Sequence, residues 1–144
     1  MKIGALARLA GCEVETIRYY EREGLLGEPQ RDSSGYRCYE GNHVEGLQFI
    51  RHCRSLDMKL SEIRQLLDFR RHPEWECSGV NQLLDVQITR VEEQIKNLLI
   101  LKEQLIALRG ECEHRQTARK CGILRSLNQA AQGQGCPCHG GGAA

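Results

Sequence analysis

The chain has 144 residues, enough for one or two small domains. Its net charge of +1 neither favours nor excludes binding to nucleic acid, so any argument about DNA depends on where the charges lie. Eight cysteines are many for this length, yet the opening residues form no secretory signal and no apolar run is long enough to span a membrane. We therefore expect a cytoplasmic protein with no membrane partner, whose thiols are kept reduced and serve as metal ligands or packing residues.

The first residues of the chain predict two short helices separated by a tight turn. Apolar residues at helical spacing predict one helix over Ile3–Ala10 and another over Glu15–Glu23. Gly11-Cys12 breaks the first helix, and Gly24 ends the second. Helix, glycine turn and helix within about twenty residues are typical of a helix-turn-helix, whose second helix enters the major groove of DNA.

The second helix and the segment after it carry side chains suited to DNA. On the helix, the candidate contacts are Thr16, Arg18, Tyr19 and Arg22. The turn-rich Asp32–Gly35 and the alternating Tyr36–Tyr39 predict a short β-wing, whose arginine and tyrosines would bind phosphates. Two more predicted helices, over about Asn42–Leu56 and over Leu60–Arg71, complete a winged helix-turn-helix domain over residues 1–72. The alternative is a structural helical corner with a solvated basic face.

The run between Gly79 and Gly110 contains no glycine or proline and predicts one long amphipathic helix. Its apolar seam consists of Leu84, Ile88, Val91, Ile95, Leu98, Leu101, Leu105 and Leu108. A helix of this length spans about 45 Å, so Cys77 just before it and Cys112 just after it cannot reach one metal ion within one chain. A second copy running antiparallel would bring these two ends together. We therefore predict a homodimer through an antiparallel coiled coil, with the hinge and dimerisation helix over residues 73–111.

The predicted metal site combines Cys77 of one subunit with Cys112 and Cys121 of the other. Eight residues separate Cys112 from Cys121, which is not a zinc-finger spacing but is long enough for a loop to fold both thiolates over the helix end. Soft thiolates select soft or borderline ions. This predicts a metal-binding loop and short helix over residues 112–131. The alternative is that Cys112 continues the apolar seam and Cys121 packs under the short helix.

A glycine-rich segment over residues 132–144 is expected to be a flexible tail. It contains Cys136, Cys138 and His139, whose residue types suit an accessory site for a soft metal. The alternative is that these thiols are incidental to a tail without structure.

Three stretches of the head carry a family resemblance. They are Ile3-Gly4-Ala5-Leu6-Ala7, the run Glu15–Leu26, and Gly35-Tyr36-Arg37 with Tyr39. Together they resemble the DNA-binding head of the MerR family of transcriptional regulators. The resemblance implies a mainly α protein with a winged helix-turn-helix head, which binds double-stranded promoter DNA as an antiparallel coiled-coil dimer. It also implies that the effector makes the dimer bend and untwist the operator so that RNA polymerase can engage. The DNA contacts it implies are Arg18, Tyr19, Tyr36, Arg37 and, from the third helix, Arg54.

The cysteine pattern resembles the lead- and cadmium-responsive branch of that family. The similarity includes Phe49–Met58, Cys77–Asp85 and Cys121–Leu124. Sensors of monovalent copper typically lack a thiolate at the position of Cys77, and zinc sensors usually carry an adjacent cysteine pair where Glu113 follows Cys112 here. The branch implies Pb(II) as the effector at a three-thiolate site, with Cd(II), Hg(II) or Zn(II) as alternatives. Cadmium would need at least one further ligand, for which His114 or a carboxylate such as Glu113 is the candidate.

The predicted function is therefore a metal-responsive transcriptional regulator that activates resistance genes by DNA distortion. A rival interpretation is a thiol redox sensor that forms a disulfide between Cys112 and Cys121, and a third is a metal-buffering protein whose head binds no promoter. An enzyme is not expected, because the sequence shows no paired acid and base in a pocket-forming context, no phosphate-binding loop and too little chain for a substrate domain.

Overall fold

The computed structural model describes residues 1–135 and is mainly helical, as the sequence predicts. Its elements are α1 (Ile3–Ala10), α2 (Val14–Arg22), β1 (Gln30–Arg31), β2 (Arg37–Cys38), α3 (Gly41–Ser55), α4 (Leu60–Arg71), α5 (Ser78–Arg109), a short 3-10 turn (Ala118–Lys120) and α6 (Gly122–Ala131). The strands β1 and β2 pair antiparallel in a two-stranded sheet, with Gln30 opposite Cys38 and Arg31 opposite Arg37. The helical bounds agree with the sequence predictions to within one or two residues.

The chain divides into two compact units, Met1–Asp85 and the part that begins at Val86. The first unit holds the hydrophobic core, which takes one buried face from each of its helices and from the end of the wing. Its fully buried side chains are Leu6, Ile17, Leu25, Tyr39, Leu47, Ile50, Met58 and Ile63. Val80 and Leu83 of α5 pack against this core. The first turns of α5 therefore belong to the same unit as the head.

The turn between α1 and α2 depends on a glycine. Gly11 has a φ of +67° and donates its N–H to the Ala7 carbonyl, a left-handed helix ending that other residues rarely adopt. A Cβ at this position would also overlap the Arg51 guanidinium. Arg51 lies there because its Nη1 donates to the Ala10 carbonyl at 3.1 Å. This contact joins α3 to the end of α1, next to the turn that leads into α2.

The apolar seam of α5 is uncovered in a single chain. Seven of its eight predicted residues, Leu84 to Leu105, expose 38% to 63% of their surface. At roughly 25 cal/mol per Å² of buried apolar area, covering a seam of this length is a strong driving force for association. Within the described residues, no helix combines the length and the apolar character needed to cross a lipid bilayer.

Candidate DNA-binding surface and metal centre

The helix α2 presents the predicted DNA-contacting side chains on its outer face. Ile17 is fully buried and fixes the rotation of the helix against the core. Arg18, Tyr19 and Arg22 are consequently exposed, while Thr16 is half-buried. The Arg18 guanidinium is held at 3.0 Å from the Glu15 carboxylate, one helical turn earlier. The face available to a major groove thus carries two arginines and a tyrosine.

The wing has a rigid tip centred on Asp32. The carboxylate accepts N–H groups from Ser34 at 2.9 Å and from Tyr36 at 3.0 Å. The Tyr36 N–H, with help from the Lys2 ammonium 3.3 Å away, lowers the pKa of Asp32. Lys2 also lies over the Tyr36 ring, 4.3 Å from its centroid. Tyr36 is exposed and yet held in place by these contacts, which suits the phosphate contact predicted for it.

Glu21 joins the wing to α2, a role that the sequence analysis missed. The Tyr39 hydroxyl donates to its Oε1 at 2.5 Å, and Arg37 Nη1 donates to its Oε2 at 3.0 Å. Burial, with a further contribution from Glu21, raises the pKa of Tyr39 to about 12. Through Glu21, the predicted DNA contact Arg37 has a fixed position relative to α2. The available signal was a carboxylate in the middle of a helix that otherwise presents arginines and tyrosines.

A cleft of about 820 Å³ separates α2 from the wing. Its charged lining is mostly basic, because five cationic side chains face two carboxylates. The cations are Lys2, Arg18, Arg22, Arg31 and Arg37, and the carboxylates are Glu21 and Glu28. Tyr36 lines the cleft as well, whereas Thr16, Tyr19 and Arg54 lie outside it. Arg54 is exposed on α3 and donates to the Met58 carbonyl at 2.8 Å. A basic cleft of this kind suits the phosphate backbone of DNA.

Two of the three predicted metal-ligating cysteines are neighbours in the unit that begins at Val86. Cys121 immediately precedes α6, and the backbone N–H groups of Leu124 and Ile123, together with the adjacent Cys112 thiol, lower its pKa. A helix N-terminus favours a negative group in this way and stabilises the thiolate, which is the form that binds metal. The structure thus pairs one thiol favoured as a thiolate with a second thiol beside it.

The polar contacts around Cys112 come from its own loop. Its Sγ donates to the His114 carbonyl at 3.6 Å, and Gln116 Nε2 donates to the Sγ at 3.8 Å. Arg109 Nη1 donates to the Cys112 carbonyl at 2.5 Å. His114, the predicted extra ligand for cadmium, therefore approaches Cys112 through its backbone oxygen. Gln116 is a contact that the sequence analysis did not anticipate.

A glycine brings the two thiols together. A Cβ at Gly122 would overlap the carbonyl oxygen of Glu111 and lie 3.2 Å from its carbonyl carbon. The start of α6 therefore lies directly on the backbone beyond α5, one residue before Cys112. No side chain larger than hydrogen fits at position 122 without separating the two segments.

Cys77 is exposed at the beginning of α5. Its carbonyl accepts the N–H groups of Val80 at 3.0 Å and Asn81 at 3.2 Å, the first bonds of the helix. Within residues 1–135, no group of three or more His, Cys, Asp or Glu side chains is placed to hold a metal ion. The predicted accessory ligands Cys136, Cys138 and His139 lie outside the described residues. All six described cysteines are free thiols, so the donor chemistry of Cys77, Cys112 and Cys121 fits a soft metal ion.

Cys12 and Cys53 are packing residues in this structure. Cys53 is buried in the core, and Cys12 packs at its edge. Burial raises the pKa of both thiols, which disfavours the thiolate form needed for metal binding.

Comparison with known proteins decides the family. Residues 1–69 match the family model described as "MerR HTH family regulatory protein", and residues 44–108 match "MerR, DNA binding". A Haemophilus influenzae regulator named "HTH-type transcriptional regulator ZntR homolog" is 46% identical over 109 residues, 76% of this chain and 81% of that protein. The chain belongs to the MerR family. Family, fold and DNA-binding regulatory class are thus as predicted, and MerR-family proteins are transcriptional regulators rather than enzymes.

The descriptions of two further similar proteins each name a metal. The solved structure of the regulator PbrR691 from Ralstonia metallidurans CH34 in complex with lead(II) is 48% identical, with a TM-score of 0.80, and the match covers 88% of this chain and 98% of that one. The mercuric resistance operon regulatory protein of Bacillus cereus is 34% identical over 126 residues, 88% of this chain and 96% of that protein.

Proposed function

We propose that this MerR-family chain is a cytoplasmic, metal-responsive activator with Pb(II), or secondarily Cd(II), as its effector. As a homodimer on promoter DNA, it would hold the metal through Cys77 of one subunit and Cys112 and Cys121 of the other. Metal binding would favour the dimer state in which the operator is bent and untwisted, so that RNA polymerase engages the promoter.

The observation that carries this proposal is the pairing of Cys112 with Cys121 at the start of α6. Two adjacent thiols, one of them favoured as a thiolate, supply two soft ligands from one segment. The proposed third ligand, Cys77, is exposed and immediately precedes α5. The 48% identity to a regulator solved with lead(II) supports lead over the other soft ions.

The uncovered seam of α5 supports the homodimer. Its exposed leucines, isoleucines and valine recur at helical spacing along one face, the pattern of a helix that packs against another helix. A second copy of the same helix, antiparallel to the first, would present the same residues to it. Sedimentation of the full chain tests this, and a monomer at micromolar concentration would contradict it.

The first experiment is an ultraviolet titration of the reduced protein with Pb(II). A thiolate-to-lead charge-transfer band is expected that saturates at one Pb(II) per three-thiolate site and disappears in Cys77→Ser and in Cys112→Ser. Cys53→Ser is the matched control, because it removes a thiol that is buried in the core. Competition with Cd(II), Hg(II) and Zn(II) then ranks the metals, and ready displacement of lead by zinc would overturn the choice of effector.

A mixed dimer tests whether the ligands come from two subunits. Neither Cys77→Ser nor Cys112→Ser alone retains a complete site. A dimer of one of each, however, contains one site with all three cysteines, formed by Cys77 of the Cys112→Ser subunit with Cys112 and Cys121 of its partner. Random mixing should therefore restore roughly a quarter of the wild-type lead capacity. No recovery on mixing would show that each site lies within one chain.

The DNA-contacting residues are part of the proposal as well. Arg18 and Arg22 are expected to bind within the major groove, and Arg37 to bind a phosphate beside it. Arg37→Gln should then weaken operator binding across sequences and lower the slope of log affinity against log salt by about one. Arg8→Gln on the exposed surface of α1 is the control. Loss of sequence preference in Arg37→Gln, with an unchanged salt slope, would contradict a phosphate contact.

A thiol redox sensor is the second candidate, favoured by the same adjacency of Cys112 and Cys121. A disulfide between them would release two protons and pass two electrons to an oxidant such as hydrogen peroxide. A peroxide response that persists with excess chelator would support this function. A response that requires metal and is insensitive to peroxide would exclude it.

A further inference from the structure

The segment around Cys77 is fixed to α4 by an aromatic cluster. The cluster, called here the aromatic clamp, consists of Phe69 in the last turn of α4 and of His72 and Trp75 in the segment between α4 and α5. The Trp75 ring stacks on His72 with 4.0 Å between centroids and 5° between planes. It also meets Phe69 edge to face at 5.5 Å. Such aromatic pairs stabilise the packing of their rings beyond the area they bury.

Phe69 contacts the chain on both sides of Cys77. Trp75, two residues before the cysteine, lies against the edge of its ring. Gly79, two residues after the cysteine, approaches so closely that a Cβ there would be 2.6 Å from Phe69 Cζ. The Cys77 side chain is exposed, while the residues two positions before it and two positions after it lie against the same ring. A displacement of Cys77 therefore displaces residues that pack on Phe69.

A side-chain hydrogen bond joins His72 to α4, and a backbone hydrogen bond joins Trp75 to His72. His72 Nδ1 is bonded to the Asp68 carbonyl at 2.9 Å, and the Trp75 N–H donates to the His72 carbonyl at 3.0 Å. The helix α4 also carries Ile63, Leu66 and Leu67, all buried in the core of the head. Because that core is close-packed, α4 moves with the head rather than independently of it.

We propose that the aromatic clamp is the positioning element that carries metal binding at Cys77 into the DNA-binding head. The proposal rests on the proposed function, since Cys77 is taken to be a metal ligand. In this proposal, Phe69 and Trp75 contact neither the metal nor the DNA. They transmit to α4 the displacement that occurs when a metal ion fixes Cys77. Without the clamp, the metal would still bind, but its effect would end at the start of α5.

Hydrogen exchange of the full-length dimer with and without Pb(II) tests the clamp. In the wild type, amides of α4 (60–71) should change their exchange rates by about fivefold or more on lead binding, the lower range of typical coupling between sites. In Trp75→Ala this change should fall below twofold, while the thiolate-to-lead band remains. Trp75→Phe keeps an aromatic ring against Phe69 and should restore the response. Leu9→Ala, which removes another exposed apolar side chain from the same unit, is the control.

The outcomes separate the two proposals. An undiminished α4 response in Trp75→Ala, or no α4 response in a wild type that shows the lead band, would overturn the role of the clamp and leave the proposed function intact. A wild type that binds no lead, cadmium, mercury or zinc would overturn both. If Trp75→Ala does not fold, His72→Ala decides, because it removes the stacked ring and leaves the Phe69 contact. Its α4 response should fall at least twofold, and an unchanged response would refute the clamp.

Discussion

Replacing Gly122 with alanine should separate the two neighbouring thiols. A Cβ at position 122 would lie within 3.0 Å of the Glu111 carbonyl oxygen, whereas ordinary contact begins at 3.4 Å. The oxygen belongs to the backbone and has no flexible side chain to move aside, so the start of α6 must shift by at least about 0.4 Å. Metal-to-ligand distances vary by only about ±0.2 Å in a well-formed site. The shift of at least about 0.4 Å at the start of α6 is twice that range, so Cys121 should be displaced from its ligating position.

The expected effect is a loss of lead affinity of about 10- to 100-fold, the range typical of changes that disturb ligand positioning. Overpacking at this contact should also destabilise the fold by about 1–3 kcal/mol. Gly110→Ala is the matched control, because a Cβ there would meet the Ala107 carbonyl oxygen at 3.5 Å, an ordinary contact. Ultraviolet lead titration gives the affinity, and urea unfolding gives the stability.

Wild-type lead affinity in Gly122→Ala would refute the argument that close backbone contact at this glycine sets the distance between Cys112 and Cys121. Equal losses in Gly122→Ala and Gly110→Ala would also refute it, because only the first variant forces the two segments apart.

Three further predictions concern the head. Tyr39→Phe removes the hydroxyl bonded to the Glu21 carboxylate and should cost about 1.5–3 kcal/mol in urea unfolding; a cost below about 0.5 kcal/mol would show that the bond is unimportant. The Tyr36 N–H holds the pKa of Asp32 below its usual 3.8, so the stability that this hydrogen bond contributes is present above pH 3.8 and is lost as the pH falls through the lowered pKa. An NMR titration of the Asp32 carboxyl in the folded chain should give a pKa below 3.8, and a value of 3.8 or higher would contradict this assignment. Asp57 has a φ of +59°, so Asp57→Gly should keep or raise the melting temperature and Asp57→Val should lower it; the reverse order would refute strain there.

Local rules were sufficient for most of the fold. The α1 and α4 boundaries follow from apolar spacing, from Gly11 and from His72-Pro73, all of which act on adjacent residues. The long helix begins at Ser78 rather than after Gly79, so this glycine lies in its first turn, where it packs closely against the Phe69 ring, ten residues earlier in the chain. That contact depends on tertiary packing, which the sequence pattern does not reveal.

In the candidate sites, too, some residues follow from local sequence patterns and others depend on tertiary packing. Exposure of Arg18, Tyr19 and Arg22 follows from helical periodicity once Ile17 is taken as the buried residue. The role of Glu21 depends on a wing residue sixteen positions away, and that of Gly122 on the carbonyl of Glu111. Neither pairing leaves a periodic signal, because each is decided by how separate segments pack. The metal ligands and DNA contacts themselves remain predictions.

Trp75 has an optical consequence. It is the only tryptophan in the sequence, and it lies two residues from Cys77 with its ring stacked on the imidazole of His72. Every photon of tryptophan emission from this protein therefore originates at the junction between the head and α5. A change in emission on adding metal would report on that junction alone, without a label and without any of the eight cysteines being modified.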